Sequence, residues 1–140
     1  MLSWVLGKKT KRKTNKRTQV VGTRPPYDKA KEIAQKGSVD ERRKLASHED
    51  LEPELLYYFA TDEAPEVRRE VADNDGTPLE ADVILAKDEN EEVRSELARK
   101  ISRLIPNLSN DQTDKLTTLA IEVLEVLAQD NLPLVRSIIA

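Results

Sequence analysis

Apolar residues recur every three or four positions along most of residues 27–140, which is the spacing of one face of an α-helix. The clearest case is DQTDKLTTLAIEVLEVLAQ, where Leu116, Leu119, Val123 and Leu127 share a face. No segment shows the sustained alternation that is typical of a β-strand. The pattern predicts helices at residues 27–36, 39–47, 53–60, 65–73, 78–87, 91–104, 111–129 and 132–140.

Prolines mark several of the predicted helix starts. Pro53, Pro65 and Pro133 each stand where a helix should begin, and proline suits a first helical turn because its missing N–H would have no partner there. The segment Thr77-Pro78-Leu79-Glu80 has the sequence of a capping box. These local signals support the boundaries that the periodicity suggests.

One sequence motif, which we call the phrase, occurs three times. Its copies are DEAPEVRREVA, DENEEVRSELA and DNLPLVRSIIA, which begin at Asp62, Asp88 and Asp130. The first two copies start 26 residues apart and the last two 42 apart, because about 16 residues are inserted before the last. When the copies are aligned, each shared position forms a column. An earlier, degenerate copy has Lys36 in the aspartate column and Glu41 in the valine column. A single pair of helices cannot bury its own apolar stripe, so the repetition predicts stacked two-helix units.

Within the phrase, an aspartate always precedes an arginine by six residues. The aspartate lies in the turn and the arginine one turn into the next helix, so we expect each arginine to reach the aspartate of its own or the adjacent unit. The predicted structural ladder consists of Asp62, Arg68, Asp88, Arg94, Asp130 and Arg136. Evenly repeated charges of this kind favour an architectural role over a catalytic one.

The order Asp, four residues, Val-Arg, two residues, an aliphatic residue and Ala resembles the HEAT repeat, where the aspartate and arginine form a ladder between units. The stretch VRREVADNDGTPLEADVILAKDENEEVRSELA is also similar to the leucine-rich repeat variant, a bacterial helical repeat of about this length. Both resemblances cover about residues 28–140 and imply an uncharacterised bacterial family. They imply an all-α fold, a short right-handed α-solenoid of HEAT-like repeats that serves as a scaffold. The iron–sulfur cluster of the founding variant protein needs cysteine, which this chain lacks, so we expect no cofactor.

The net charge of −3 hides two oppositely charged regions. Residues 1–26 hold eight Lys or Arg and no acidic residue, whereas residues 27–140 hold 15 basic and 26 acidic side chains. Like charges at this density repel, and few apolar residues are near enough to order them. We therefore predict a disordered basic arm at residues 1–26 and a repeat domain at residues 27–140.

The basic arm suits an anionic partner, either a membrane surface or a nucleic acid. Trp4 and the short apolar segment around it favour the membrane, because tryptophan anchors at membrane interfaces, and no aromatic residue lies among the charges to stack on bases. The candidate binding residues are Trp4, Lys8, Lys9, Lys11, Arg12, Lys13, Lys16 and Arg17. The alternatives are a solubilising tail and an arm that folds back onto the acidic domain.

No motif in the chain indicates catalysis. The single histidine, His48, lies beside Glu49 and Asp50, and a solvated loop residue is favoured there over a weak metal site. The glycines are isolated and form no phosphate-binding loop. We therefore predict that the protein is not an enzyme and holds no metal.

Two sets of residues are candidates for binding a protein partner. Tyr57 and Tyr58 adjoin Phe59 on one helix, where the three cannot all face the core, and exposed tyrosine is a good interface anchor. The position after each repeated arginine, Arg43, Arg69 and Ser95, should face away from the core and into a concave groove. Core packing for the aromatic cluster and plain solvation for the column are the alternatives.

The last phrase leaves the apolar segment LPLVRSIIA without a polar cap, which a finished solenoid normally has. We therefore expect either that the domain continues beyond residue 140 or that a homodimer seals this end. The predicted function is a cytoplasmic, non-enzymatic scaffold for a protein partner. The alternative is an adaptor that the arm tethers to nucleic acid or to the inner face of the membrane.

Overall fold

The computed structural model describes residues 23–104 and 115–139, and this part of the chain contains helices and no strand. The helices are α1 (Tyr27–Lys36), α2 (Val39–Ala46), α3 (Pro53–Phe59), α4 (Pro65–Asp73), α5 (Leu79–Leu85), α6 (Glu91–Leu104), α7 (Lys115–Ala128) and α8 (Pro133–Ile139). The prediction of an all-α protein is confirmed here. The start predicted for the seventh helix, at residue 111, lies outside the described residues.

The helix starts follow the proline signals but not the predicted capping box. Pro53, Pro65 and Pro133 begin α3, α4 and α8. Thr77 does not cap α5; its hydroxyl donates to the carbonyl of Val71 at 2.8 Å, so it closes the preceding helix instead. A full capping box occurs at α2, where Ser38 and Glu41 bind each other's backbone N–H groups.

The helices pack against one another in two series. In the first, α2 packs on α4, α4 on α6 and α6 on α8. In the second, α1 packs on α3, α3 on α5 and α5 on α7. Each helix of the first set also packs against the helix that precedes it in the chain. Successive helix pairs therefore make the same kind of contact with the pair that follows.

The core lies between these two sets of helices and follows the repeat columns. Val67, Val93 and Val135 are all fully buried, as are Leu97 and Phe59. Alanine recurs at two aligned positions of the repeat, Ala46, Ala72 and Ala98 at one and Ala34, Ala60, Ala86 and Ala128 at the other. All of these alanines are buried except Ala128, which is exposed. Small side chains at these columns let neighbouring helices approach closely, which explains why alanine recurs there.

The polypeptide before α1 is attached to the loop between α2 and α3. The guanidinium of Arg24 donates to the carbonyl of Asp50 at 2.8 Å and lies 3.3 Å from the carboxylate of Glu52. The predicted basic arm at residues 1–22 lies outside the described residues, and its disorder stays a prediction. Within the described ranges, no helix has the length and apolar character needed to cross a bilayer.

Candidate functional site

The repeated arginines pair with aspartates of the following unit. Each of three arginines presents the forked Nε–Nη2 edge of its guanidinium to both oxygens of one carboxylate. The Nε–Oδ2 distances are 2.8 Å in Arg42–Asp62, 2.7 Å in Arg68–Asp88 and 2.6 Å in Arg94–Asp130. The Nη2–Oδ1 distances are 3.1, 3.2 and 3.2 Å. We call these three pairs the rungs.

Each rung is also fixed to the backbone of its own turn. The third nitrogen, Nη1, of Arg68 donates at 2.7 Å to the carbonyl of Asp62, six residues earlier, and Arg94 does the same to Asp88. The carboxylate of Asp88 accepts the backbone N–H of Asn90 at 2.8 Å. Arginine thus holds the turn of its own unit through Nη1 and the turn of the next unit through its fork.

The rungs are largely withdrawn from solvent, which strengthens these charge-assisted hydrogen bonds. The six side chains are between 4% and 13% exposed. In the first rung, the hydrogen bond to Asp62 raises the pKa of the Arg42 guanidinium above its ordinary value. Arg42 therefore stays charged, and in each rung the arginine and the aspartate bind each other.

The degenerate first copy differs as its sequence suggests. Lys36 occupies the aspartate column and is exposed, and Nη1 of Arg42 donates instead to the carbonyl of Gly37 at 2.7 Å. At the other end, Nη1 of Arg136 donates to the carbonyl of Asp130, as in the inner units. The three rungs thus keep one direction along the chain, since the arginine of one unit always binds the aspartate of the unit that follows.

A second polar column lies two residues beyond the repeated alanine, and the sequence analysis missed it. It consists of His48, Asn74 and Lys100, spaced 26 residues apart and all buried. The side-chain amide of Asn74 donates to the carbonyl of His48 at 2.9 Å and to that of Ala46 at 2.8 Å. The Nζ of Lys100 donates to the carbonyl of Asn74 at 3.1 Å. Each member therefore binds the backbone of the member before it.

Lys100 also forms an ion pair in the protein interior. Its Nζ lies 2.7 Å from Oδ1 of Asp82 on α5, and the two side chains are 0% and 1% exposed. Burial raises the pKa of Asp82 to about 6, because the low-dielectric interior disfavours the carboxylate more than the nearby ammonium stabilises it. Burial likewise lowers the pKa of Lys100. This pair is inaccessible to a substrate, so its role is structural.

The interpretation of His48 as a solvated loop residue is wrong. Only 8% of the residue is exposed, and its carbonyl accepts the amide of Asn74. Burial lowers the pKa of its imidazole, which favours the neutral form. No group of three or more His, Asp or Glu side chains in residues 23–104 and 115–139 is placed to hold a metal ion.

The residues of the predicted binding column, Arg43, Arg69 and Ser95, differ in their exposure to solvent. Ser95 is only 5% exposed, so the expectation that it faces a groove is wrong; α6 is covered on this side. Arg43 lies 3.6 Å from the carboxylate of Glu70, and Arg69 lies 2.6 Å from that of Glu92. Both arginines are partly exposed and form ion pairs between consecutive helices of the α2–α4–α6 series.

The two tyrosines are both exposed, Tyr57 by 45% and Tyr58 by 51%, while Phe59 is buried. Tyr58 borders a pocket of about 250 Å³ beside the first rung. The pocket is lined by Ala34, Gln35, Arg42, Tyr58, Thr61, Asp62 and Glu63. Arg42 and Asp62 already bind each other within this lining. The pocket is therefore a polar surface depression with the ring of Tyr58 at its edge.

The candidate residues for anionic partners, Trp4 through Arg17, lie outside the described residues. Comparison with known proteins found no match: no protein-family model, no curated protein and no solved structure matches this chain. The resemblance to HEAT and leucine-rich-variant repeats therefore stays a prediction, carried by the repeated residues themselves.

Proposed function

We propose that the protein is a non-enzymatic scaffold for a protein partner, built as a short right-handed α-solenoid of HEAT-like repeats. The observation that carries this proposal is the set of rungs, in which each arginine joins its own turn to the turn of the next unit. Such pairing supports an extended stack, because each unit contacts chiefly its neighbours. An extended stack offers a large surface for its size, which is why we favour binding over chemistry.

The exposed tyrosines are the part of this surface best suited to anchor a partner. Tyr57 and Tyr58 lie on α3, and Tyr58 borders the pocket beside the first rung. Tyrosine is enriched at binding hot spots, because a rigid ring buries much area and its hydroxyl still finds a hydrogen-bond partner. Arg43 and Arg69 are secondary candidates, since a partner would compete with their present carboxylates.

Affinity purification of the tagged full chain, followed by reconstitution with the recovered protein, tests this proposal. We expect the double variant Tyr57→Ala, Tyr58→Ala to weaken a stoichiometric complex at least tenfold, since hot-spot truncations typically cost about 2 kcal/mol or more. The matched control is Ile121→Ala, which removes an equally exposed apolar side chain from α7. Failure to reconstitute a complex that depends on residues 23–139 would contradict the scaffold function.

The basic arm supports a second candidate, an adaptor tethered to an anionic surface. Seven Lys or Arg occupy residues 8–17, with Trp4 just before them. Co-sedimentation with liposomes containing phosphatidylserine, and separately with duplex DNA, should compare the full chain with a variant lacking residues 1–22, which keeps Arg24 on its partners. Retention by liposomes only in the full chain supports a membrane tether. For DNA, seven phosphate contacts predict a log–log salt slope of about −6. Equal, negligible binding by both proteins removes this candidate.

A further inference from the structure

The last basic residue of the arm, Arg24, already binds the repeat domain. Its Nη1 donates to the carbonyl of Asp50 at 2.8 Å and lies 3.3 Å from Oε2 of Glu52. The other carboxylate oxygen of Glu52, Oε1, is buried and accepts no hydrogen bond from the described part of the chain. A buried acceptor without a donor is unfavourable, so a donor from the residues before Thr23 would be stabilised here. The attachment at Arg24 therefore offers a further acceptor to the preceding residues.

A pocket lies between the far ends of α1 and α3. The two helices run in the same direction, because the hydroxyl of Tyr27, at the start of α1, donates at 2.6 Å to the carboxylate of Glu54, at the start of α3. Their other ends meet at the pocket of about 250 Å³, which Gln35 of α1 lines together with Tyr58 of α3. Since α1 has 10 residues, the pocket is about 15 Å from the start of α1, where the arm joins the domain.

The pocket is suited to a single cationic side chain. Within it, the charges of Arg42 and Asp62 compensate each other, since the two form the first rung. Glu63 is exposed, and no hydrogen bond or ion pair joins its carboxylate to the described residues. Lys36, at the end of α1, is exposed and does not line the pocket. A lysine or arginine can therefore place its charge on Glu63 and its stem or guanidinium against the half-exposed ring of Tyr58.

We propose that the basic arm docks on its own repeat domain, with the side chain of Lys16 or Arg17 in this pocket. Arg17 is seven residues before Arg24. Seven extended residues span up to about 23 Å, which exceeds the distance of about 15 Å to the pocket. These two residues are the first basic residues before Arg24, so they are the ones that the tether holds nearest.

Charge and tether together favour the chain's own arm as the occupant. The arm carries eight basic residues and no acidic one, while residues 27–140 carry 15 basic and 26 acidic residues. A covalent tether of this length holds the arm near the pocket at an effective concentration in the millimolar range, so that weak contacts become populated. A basic segment of another protein lacks this advantage.

Docking would regulate the proposed binding surface, and this consequence rests on the proposed scaffold function. An occupied pocket covers part of Tyr58, so the arm would compete with a protein partner for this anchor. An anionic surface that binds the arm would withdraw it and free the tyrosine. The two candidate functions would then act in sequence, with capture of the arm preceding binding of the partner.

Paramagnetic relaxation measured in the full chain tests docking directly. The sequence has no cysteine, so Thr14→Cys provides a single attachment site for a nitroxide label. We expect the label to weaken the amide signals of residues 58–63 more than those of residues 91–99 on α6. Glu63→Gln should lower this effect by about twofold to fivefold, the factor that an exposed ion pair contributes. Glu66→Gln removes the same charge at an exposed position outside the pocket and is the matched control, which should leave the effect unchanged.

Variants of the arm test which of its residues occupy the pocket. Lys16→Gln with Arg17→Gln should weaken the label's effect on residues 58–63. Lys8→Gln with Lys9→Gln removes the same charge further from the tether and should weaken it less. Equal weakening by both pairs would show general attraction of the arm to the domain and would contradict docking in the pocket.

Three further results would overturn the inference. The label weakens residues 58–63 no more than residues 91–99, or Glu63→Gln leaves its effect unchanged. In the third, the effect appears in a mixture of isotope-labelled chain without nitroxide and nitroxide-labelled chain without isotope, which identifies the arm of a second copy. The proposed function is tested separately, through the tyrosine variants in the partner complex. A tyrosine-dependent complex without docking would remove only this inference, and docking without any complex would remove only the scaffold function.

Discussion

Two polar columns connect the same series of helices, and they are built on different rules. The rungs repeat both position and residue type, so that arginine meets aspartate three times. The column of His48, Asn74 and Lys100 repeats only the position, because the donor to the preceding member is an amide in Asn74 and an ammonium in Lys100. The rungs are partly open to water, whereas Lys100 is wholly buried. The rungs are therefore recognised by their repeated residue types, and the second column by the burial of its side chains.

Breaking the buried pair should have the largest effect on stability. Lys100→Met leaves the carboxylate of Asp82 in the interior without a partner, and we expect a loss of about 3–5 kcal/mol in the free energy of unfolding. The double variant Lys100→Met, Asp82→Leu removes both charges and should recover most of that loss. Urea denaturation of the two variants measures the difference. A double variant as unstable as the single one would mean that the pair itself, and not the orphaned charge, dominates.

Asn74→Ala should follow in size, at about 2–3 kcal/mol. The substitution removes three hydrogen bonds, two donated to the carbonyls of Ala46 and His48 and one accepted from the N–H of Gly76. The two buried carbonyls then have one donor fewer, and each such group costs about 1–3 kcal/mol. Hydrogen exchange should show the loop between α2 and α3 losing protection first. Gln35→Ala, at an exposed amide side chain of α1, is the matched control and should change stability little. Uniform loss of protection across the molecule would contradict a local role.

The rungs should contribute less per residue than the buried pair. Arg68→Ala leaves Asp88 without its fork but near solvent, so we expect about 2 kcal/mol, below the range for fully buried pairs. Arg69→Ala is the neighbouring control: it breaks the exposed pair with Glu92 and should cost less than about 1 kcal/mol. Thermal unfolding of both variants checks the ratio. Equal effects would show that the rungs act as ordinary surface pairs.

The sequence predicted the rungs because their residues recur in register, and it predicted the helices because periodicity and proline coincide. It missed the second column because alignment by residue type cannot find histidine, asparagine and lysine in one role. The available signal was the spacing: residues 48, 74 and 100 follow the repeated alanine by two positions each. The exposure expected for Ser95 was wrong because the sequence does not show how closely α6 is covered by its neighbours.

Acidification should change the free energy of unfolding by a smaller amount, through the buried pair of Lys100 and Asp82. The pKa of Asp82 is raised to about 6 from an ordinary value of 3.8, so the folded state binds a proton that the unfolded state does not. As the pH falls from 7 toward 5.5, this group alone should add stability, by less than about 1 kcal/mol. His48 acts in the opposite sense, because its lowered pKa lets the unfolded state take a proton first. Both the wild type and the variant Lys100→Met, Asp82→Leu retain His48. The free energy of unfolding of the wild type, measured relative to that variant, should therefore rise on acidification. An unchanged relative stability would show that the ammonium of Lys100 holds Asp82 ionised despite its burial, since an unfolded carboxyl also binds almost no proton in this pH range.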